Sequence, residues 1–509
     1  MTLTSGWILF AFVLYFAVMI AIGLFNMKSN TSSEDYFLGG RSLGAFVAAL
    51  SAQASDMSGW LLMGLPGSIY ALGTGQIWIA VGLFAGTVLN WLLIATKLRR
   101  YTIRANNAVT LPQYFQNRFH DEKRLLLLFS SLAILIFFLV YTASAFAAGG
   151  KLFATVFGMD YTVALSIGAV IILTYTLLGG FSAVCDTDFV QGTVMLVGLV
   201  IVPLLALRFL GNDLSAASNV SETFLNIFHD GGEPITAVSV ISQLAWGLGY
   251  CGMPHILVRF MAVKNDRELD KAKAIGIIWV AFSLGFACLI GVVGRAFLET
   301  DLTATGDSEK VFMYMIMDLF TGKYAMPVIG GIFLCAILAA IMSTADSQLL
   351  VTASSVTEDL YQGFMEKKLD GKKSVWMSRI VVLIVALIAY VIALDPDSSI
   401  MGLVSDAWAG LGSAFGPAVL LSLYWRRANR EGTAAGIIVG ACTVIVWDYI
   451  PCIAGKTPSA VTGVYSLLGG FIFSLIANVA VAMLTKTPDE SILAEFDDVK
   501  NNETAGSGT

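Results

Sequence analysis

SAQASDMSGWLLMGLPG, residues 51–67, places a carboxylate, Asp56, and four polar side chains, Ser51, Gln53, Ser55 and Ser58, inside a long apolar run. An aspartate at mid-bilayer costs about 2.5–3.5 kcal/mol on insertion scales, so such a group must face protein or water. Gly59 and Gly64 loosen a helix here, and Pro66 with Gly67 marks a second irregular point. Backbone freed from a helix at that depth is tolerated only where it lines a cavity. Freed carbonyls and nearby hydroxyls suit a small hard cation, and N–H groups at a half-helix start suit a carboxylate. The stretch therefore predicts a broken transmembrane helix that carries a polar site. The plainer reading is an aspartate satisfied by serines for packing alone, and the number of polar neighbours argues against it.

The remaining sequence supplies the membrane. Of 509 residues, 57% are hydrophobic and only 13% charged, which excludes an ordinary soluble domain. Runs long enough to cross ~30 Å of hydrocarbon recur along the whole length. They predict an all-α polytopic membrane protein with about 13 spans: 6–26, 43–71, 75–97, 125–151, 161–184, 189–210, 237–260, 272–297, 325–355, 375–394, 398–425, 432–451 and 461–485. The first basic residue, Lys28, follows the first apolar run, so that run reads as a retained helix rather than a signal peptide.

Lysine and arginine sort by loop. Six of the 30 (Lys151, Arg208, Arg295, Lys310, Lys323 and Lys456) fall on one side, and the other 24 lie in or beside the alternate loops and the C-terminal tail. The positive-inside rule then predicts an N-terminus outside and a C-terminus inside, which requires an odd number of spans. The loop 98–124, with TLPQYFQNRF, is expected to lie at the inner membrane surface, and the outer loops 211–236 and 298–324 leave room for short helices. Residues 1–485 form one transmembrane domain, and the polar tail 486–509 is expected to be cytoplasmic and disordered. The net charge of −6 says little about partners, and nothing points to nucleic acid. The six cysteines form no CxxC pair and read as small core residues, and the three histidines lie far apart.

Two further spans repeat the opening theme. FLCAILAAIMSTADSQLLVTASS, residues 333–355, holds Ser343, Thr344, Asp346, Ser347 and Gln348 within an apolar run. The carbonyl of Ala340 lies one helical turn before Ser343 and Thr344, so three oxygens can share a face. Serine and threonine bonding back to their own helix is the ordinary alternative. ISQLAWGLGYCGMPHILVRFMA, residues 241–262, spaces Trp246, Tyr250 and Pro254 four apart among Gly247, Gly249 and Gly252. That pattern fits a pocket wall with a bendable backbone, and equally an aromatic belt at an interface.

As a set, these stretches resemble the sodium–solute symporter family. The resemblance rests on YFLGGRSLG (36–44), SAQASDMSGWLLMGLPG (51–67), VTLPQYF (109–115), LGGFSAV (178–184), AWGLGYCGMPHILVRFMA (245–262), ILAAIMSTADSQLL (337–350) and YWRRANREG (424–432). It implies a core of two inverted five-helix repeats, about 43–210 and 237–425, each opening on a broken helix. It implies a sodium site built from backbone oxygens of Ala54, Met57 and Ala340 and the hydroxyls of Ser343 and Thr344. Asp56 is implied to act in coupling close to the ion. Ser58, Gly59, Trp60, Tyr141, Trp246, Tyr250 and Pro254 are implied to form the solute pocket. Arg41 and Asp188 resemble inner-face residues linked to sodium coupling and release; their ordinary readings are a positive-inside arginine and a solvated loop aspartate. The resemblance implies a multi-pass protein of the bacterial cytoplasmic membrane, with Na+ as coupling ion and no organic cofactor. The lipid bilayer is its one obligatory surrounding, and no protein partner is evident.

Within the family, Tyr141, Trp246, Tyr250 and Pro254 together point to L-proline over another amino acid, pantothenate or a sugar. A proton-coupled carrier must use Asp56, because the Ser343–Thr344 pair exchanges no proton near neutral pH. A receptor needs an output domain that a tail of this length does not supply. An intramembrane enzyme needs a nucleophile and base, or a metal site, and neither pattern occurs within the spans.

Overall fold

The computed structural model describes residues 3–26, 37–218, 221–367, 369 and 371–506. Among them, ten helices are long and apolar enough to cross a membrane. The remaining three expected spans are those the chain interrupts or shortens. Residues 43–71 fold as α2 (Ala45–Asp56), a wide turn over Trp60–Gly64, and α3 (Leu65–Leu72). Residues 237–260 fold as α9 (Ala237–Leu244), a tight 3-10 stretch over Ala245–Gly252, and α10 (Pro254–Met261). Tyr161–Thr174 is a shorter apolar segment of α8 (Tyr161–Phe209), which turns sharply where Gly180 takes φ 65°. A residue with a Cβ rarely holds that φ, so the glycine makes the turn possible.

Local chemistry explains the breaks. The α2 ladder ends where Met57 takes φ −80°, ψ 72°, just before Ser58 and Gly59. Pro254 starts α10: its missing N–H costs nothing in a first turn, and it cannot continue the preceding stretch.

The two interrupted spans run antiparallel. Arg259 donates to Ser51 and Tyr250 donates to Asp56, so one sequence number falls as the other rises. Around them pack α1 (Leu3–Asn26), α4 (Ile77–Leu89), α5 (Ala95–Arg104), α6 (Leu111–Arg118), α7 (Leu125–Phe157), α11 (Asp266–Phe297), α12 (Pro327–Ser354), α13 (Gly371–Ile392), α14 (Ile400–Tyr424), α15 (Arg430–Tyr449) and α16 (Ser466–Leu484). Helix α12 is buried along nearly its whole length and packs on α1, α2, α7 and α8. The 3-10 stretch is squeezed between α4 and α14. A Cβ on Gly86 of α4 would lie 2.2 Å from the Gly247 carbonyl, so these backbones touch directly.

Three expectations are corrected. The tail is not disordered over its described part: Glu490–Gly506 forms α17. Its Ile492, Phe496 and Val499 are buried, and Glu495, Asp497 and Asp498 pair with His120, Arg426 and Arg104. The polar composition hid an apolar residue at every third or fourth position, enough to dock one face. The segment 111–118 packs into the protein, with Tyr114, Phe115 and Arg118 fully buried. Asp188 is no loop residue; it lies inside α8 and is fully buried. The cysteines divide: Cys185, Cys288 and Cys335 are buried, whereas Cys442 and Cys452 are exposed. The loop 298–324 holds a 3-10 turn (Ser308–Lys310), a short α-helix (Val311–Met317) and a wider turn (Asp318–Lys323), and the described residues of 211–236 hold a helical turn (Ser215–Ser218) and a two-residue hairpin.

Candidate ion and solute site

The break in α2 brings the predicted oxygens together. Ser343 donates to the Ala54 carbonyl at 2.8 Å and to the Ala340 carbonyl at 3.2 Å, and Thr344 donates to the Ala54 carbonyl at 3.4 Å. Four of the five expected ligands thus meet where α2 ends and α12 passes, all fully buried. A hydroxyl that donates to a carbonyl keeps its lone pairs for a cation. The fifth, Met57, is buried at the break itself.

Two residues on from Ala54, Asp56 gathers a second set of polar contacts. Its Oδ2 accepts from the Tyr250 hydroxyl at 2.6 Å, and its Oδ1 is buried with no hydrogen-bond partner. Its carbonyl accepts from the Trp60 indole at 3.0 Å and from the Tyr141 hydroxyl at 3.4 Å. Ser58 joins this group through its N–H, which donates to the same carbonyl at 2.9 Å. An unpartnered buried carboxylate oxygen is costly. It marks a place where a cation or an ammonium group gains most.

Two other expected pocket residues, Trp246 and Pro254, flank Tyr250 four positions to either side. Trp246 stands one turn from Tyr250 and stacks on Tyr465. Pro254 lines a narrow slot with Thr110, Phe181, Val258 and Leu350. Gly59 faces protein instead: a Cβ there would lie 2.9 Å from Ala148.

The coupling pair separates. The Arg41 guanidinium reaches Asn107 at 2.7 Å and the carbonyls of Met261 at 2.5 Å and Ala108 at 2.9 Å, tying the basic end together. Asp188 lies deeper. Its Oδ2 accepts from Ser51 at 2.7 Å and from Arg259 at 3.3 Å. Arg259 is itself buried and also reaches Ser347 at 2.5 Å and the His255 carbonyl at 2.7 Å. Ser347 in turn donates to the Ser343 carbonyl at 2.8 Å, so this network touches the ion-site helix. Sequence reading missed Arg259 because it was counted with the basic inner loops. A lone arginine inside an apolar span was the signal.

Two further polar clusters tie neighbouring elements together. At the end away from the basic cluster, Lys151 pairs with Glu309 at 2.9 Å. Glu309 also accepts from Ser399 and from the N–H groups of Ile400 and Met401, which start α14. At the basic end, Thr110 donates to the buried Asp359 at 2.7 Å. Asp56, Trp60, Tyr141 and Tyr250 are all at most 1% exposed, so the site is occluded.

Two antiparallel interrupted spans, one of which meets α12 through carbonyl and hydroxyl oxygens beside a buried carboxylate, define a cation-coupled secondary transporter of the broken-helix class. Residues 36–440 match the sodium:solute symporter family, and the chain belongs to that family. It is a transporter, not an enzyme. An osmoregulated proline transporter of Bacillus subtilis is 46% identical over 93% of this chain and 94% of its own. A sodium/proline symporter of Staphylococcus aureus is 43% identical over 96% of this chain and 94% of its own. Among solved structures, a Na+-coupled sialic acid symporter in a substrate-bound outward-open state superposes with a TM-score of 0.76 at 19% identity, covering 96% of this chain and 99% of that one. A nucleobase-cation-symport-1 family transporter gives 0.53 at 14% identity, covering 92% and 98%. At these identities the structural likenesses establish the fold alone.

Proposed function

We propose that this chain imports L-proline together with sodium across the bacterial cytoplasmic membrane, with its N-terminus outside and its C-terminus inside. The observation that carries the sodium half is the convergence of Ala54, Ala340, Ser343 and Thr344 oxygens across the α2 break. The names of the two relatives carry the proline half. In this reading the two repeats span about 43–210 and 237–425.

Sodium enters from the outer side and binds between α2 and α12, with Met57 completing the ligand set. Its charge sits close to Asp56, and it pins the broken helix end. Proline then meets a finished pocket. Its carboxylate faces the Ser58 hydroxyl and the Gly59 N–H, at the start of the second half-helix. Its secondary ammonium faces the open Oδ1 of Asp56. Its ring lies against the wall of Trp246, Tyr250 and Pro254. The ring is compact and rigid, so little ligand entropy is lost on binding. Parting of Lys151 and Glu309 opens the outer route, and parting of Thr110 and Asp359 opens the inner one. Arg41 and Asp188 act on the inner side, where sodium leaves. One charge falling through 100 mV supplies ~2.3 kcal/mol, which supports roughly 50-fold accumulation before any sodium gradient is added.

The test is binding of radiolabelled proline to the purified chain in detergent. Sodium-dependent binding that potassium does not support is expected, and Trp246→Ala should weaken it. Sodium-responsive protein that binds no proline would move the assignment to another small solute.

A further inference from the structure

The wall residue Trp246 is held from outside the two repeats. Its indole stacks on Tyr465, with ring centroids 5.0 Å apart and planes 19° from parallel. Tyr465 immediately precedes α16, the last membrane helix. It is anchored at both ends: its hydroxyl donates to the Ser405 carbonyl of α14 at 2.8 Å, and its N–H donates to the Ser242 hydroxyl of α9 at 3.1 Å. The backbone of Trp246 is held as firmly. The Trp408 indole of α14 donates to the Trp246 carbonyl at 2.8 Å and meets the Tyr250 ring edge-to-face at 5.1 Å. A Cβ on Gly249 would fall 2.0 Å from the Trp408 Nε1, so the glycine is what lets this indole reach across.

We propose that Tyr465 and Trp408 are positioning residues for solute selection, which fix the ring and the carbonyl of Trp246 and so set how large a solute ring the pocket accepts. The proposal rests on the reading of Trp246 as a solute-facing wall. Neither residue belongs to the ion-binding set. An aromatic wall free to turn cannot discriminate between rings that differ by one methylene. A wall stacked on one face and hydrogen-bonded at its backbone can. The last span, which lies beyond the repeats, thereby takes part in recognition.

The experiment is sodium-driven proline uptake by the full chain in proteoliposomes. The readouts are KM, maximal rate, sodium half-saturation, and inhibition by four-membered (azetidine-2-carboxylate) and six-membered (pipecolate) ring analogues. Tyr465→Ala should raise the proline KM about two- to ten-fold and narrow the discrimination against pipecolate, while sodium half-saturation stays within twofold. Tyr465→Phe keeps the stack and should restore wild-type discrimination. Trp408→Phe removes the donor and should reproduce the KM shift. If Tyr465→Ala yields no reconstitutable protein, Tyr465→Leu keeps the volume without the ring and is read the same way. A KM and analogue ranking unmoved in Tyr465→Ala or Tyr465→Leu, with only the maximal rate lowered, overturns the proposal. Wild-type protein that takes up no proline removes the substrate reading and this proposal with it, whereas failure in the variants alone removes only this proposal.

Discussion

The hydroxyl of Tyr250 donates to Oδ2 of Asp56 at 2.6 Å, with both side chains buried, and this bond joins the two interrupted spans at their breaks. Tyr250→Phe leaves Asp56 with no side-chain partner, because Oδ1 already has none. A hydrogen bond to a charged group contributes about 1.5–3 kcal/mol, or roughly ten- to a hundred-fold in an equilibrium. The proline KM of Tyr250→Phe should rise by that factor in uptake assays. An unchanged KM removes this bond from the binding step.

Thr344→Val keeps the shape of the side chain and deletes one oxygen from the set around the Ala54 carbonyl. Sodium half-saturation should rise at least about ten-fold, while proline affinity at saturating sodium stays within about threefold. A sodium curve identical to wild type places the ion elsewhere.

The buried Arg259–Asp188 pair predicts a non-additive cycle. Removing one partner of such a pair costs about 3–5 kcal/mol, because the other charge stays buried. Asp188→Asn and Arg259→Met should each lower the melting temperature of the detergent-solubilised protein. The double variant should melt above the worse single one. Additive losses would mean the two residues act independently.

Docking of α17 is predicted to depend on its apolar face. Its three ion pairs are largely exposed, and exposed pairs contribute about 0–1 kcal/mol each. Phe496, by contrast, is buried and lies against the Arg118 guanidinium, 5.4 Å from the ring centre. Phe496→Ala should speed hydrogen exchange over 490–501 at least about ten-fold, and Asp497→Asn by less than about twofold. Arg426 beside Asp497 holds its carboxyl below the usual carboxylate range. A depressed carboxyl contributes its docking share above its ordinary value, near ~4, and loses it as pH falls through the lowered one. Loss of the Asp497 carboxylate should therefore cost α17 no protection, measured relative to the intrinsic exchange rate, from neutral pH down to about 5. The same protection lost between pH 7 and 5 in both wild type and Asp497→Asn would point to another group.

What the sequence disclosed and what it withheld divide along physical lines. Asp56, Ser343 and Thr344 stood out because polar groups in an apolar run are costly, so each announces itself. The break near Gly59 and that before Pro254 were legible for the same reason: glycine and proline have strong local effects. Trp408 and Tyr465 were not legible as site residues. Their roles come from partners 60 to 223 positions away, and no local pattern encodes a partner. The docking of α17 was hidden by its composition, since three apolar residues on one face of a charged helix barely move a hydropathy average.

Sodium coupling of proline entry is tested most directly by uptake of radiolabelled proline into proteoliposomes, with sodium or potassium outside and the membrane voltage set at two values. Uptake with sodium alone, increasing as the inside is made more negative, is the predicted result. Uptake that is equal in potassium, or indifferent to voltage, would contradict a sodium ion carried between α2 and α12 with each transport cycle.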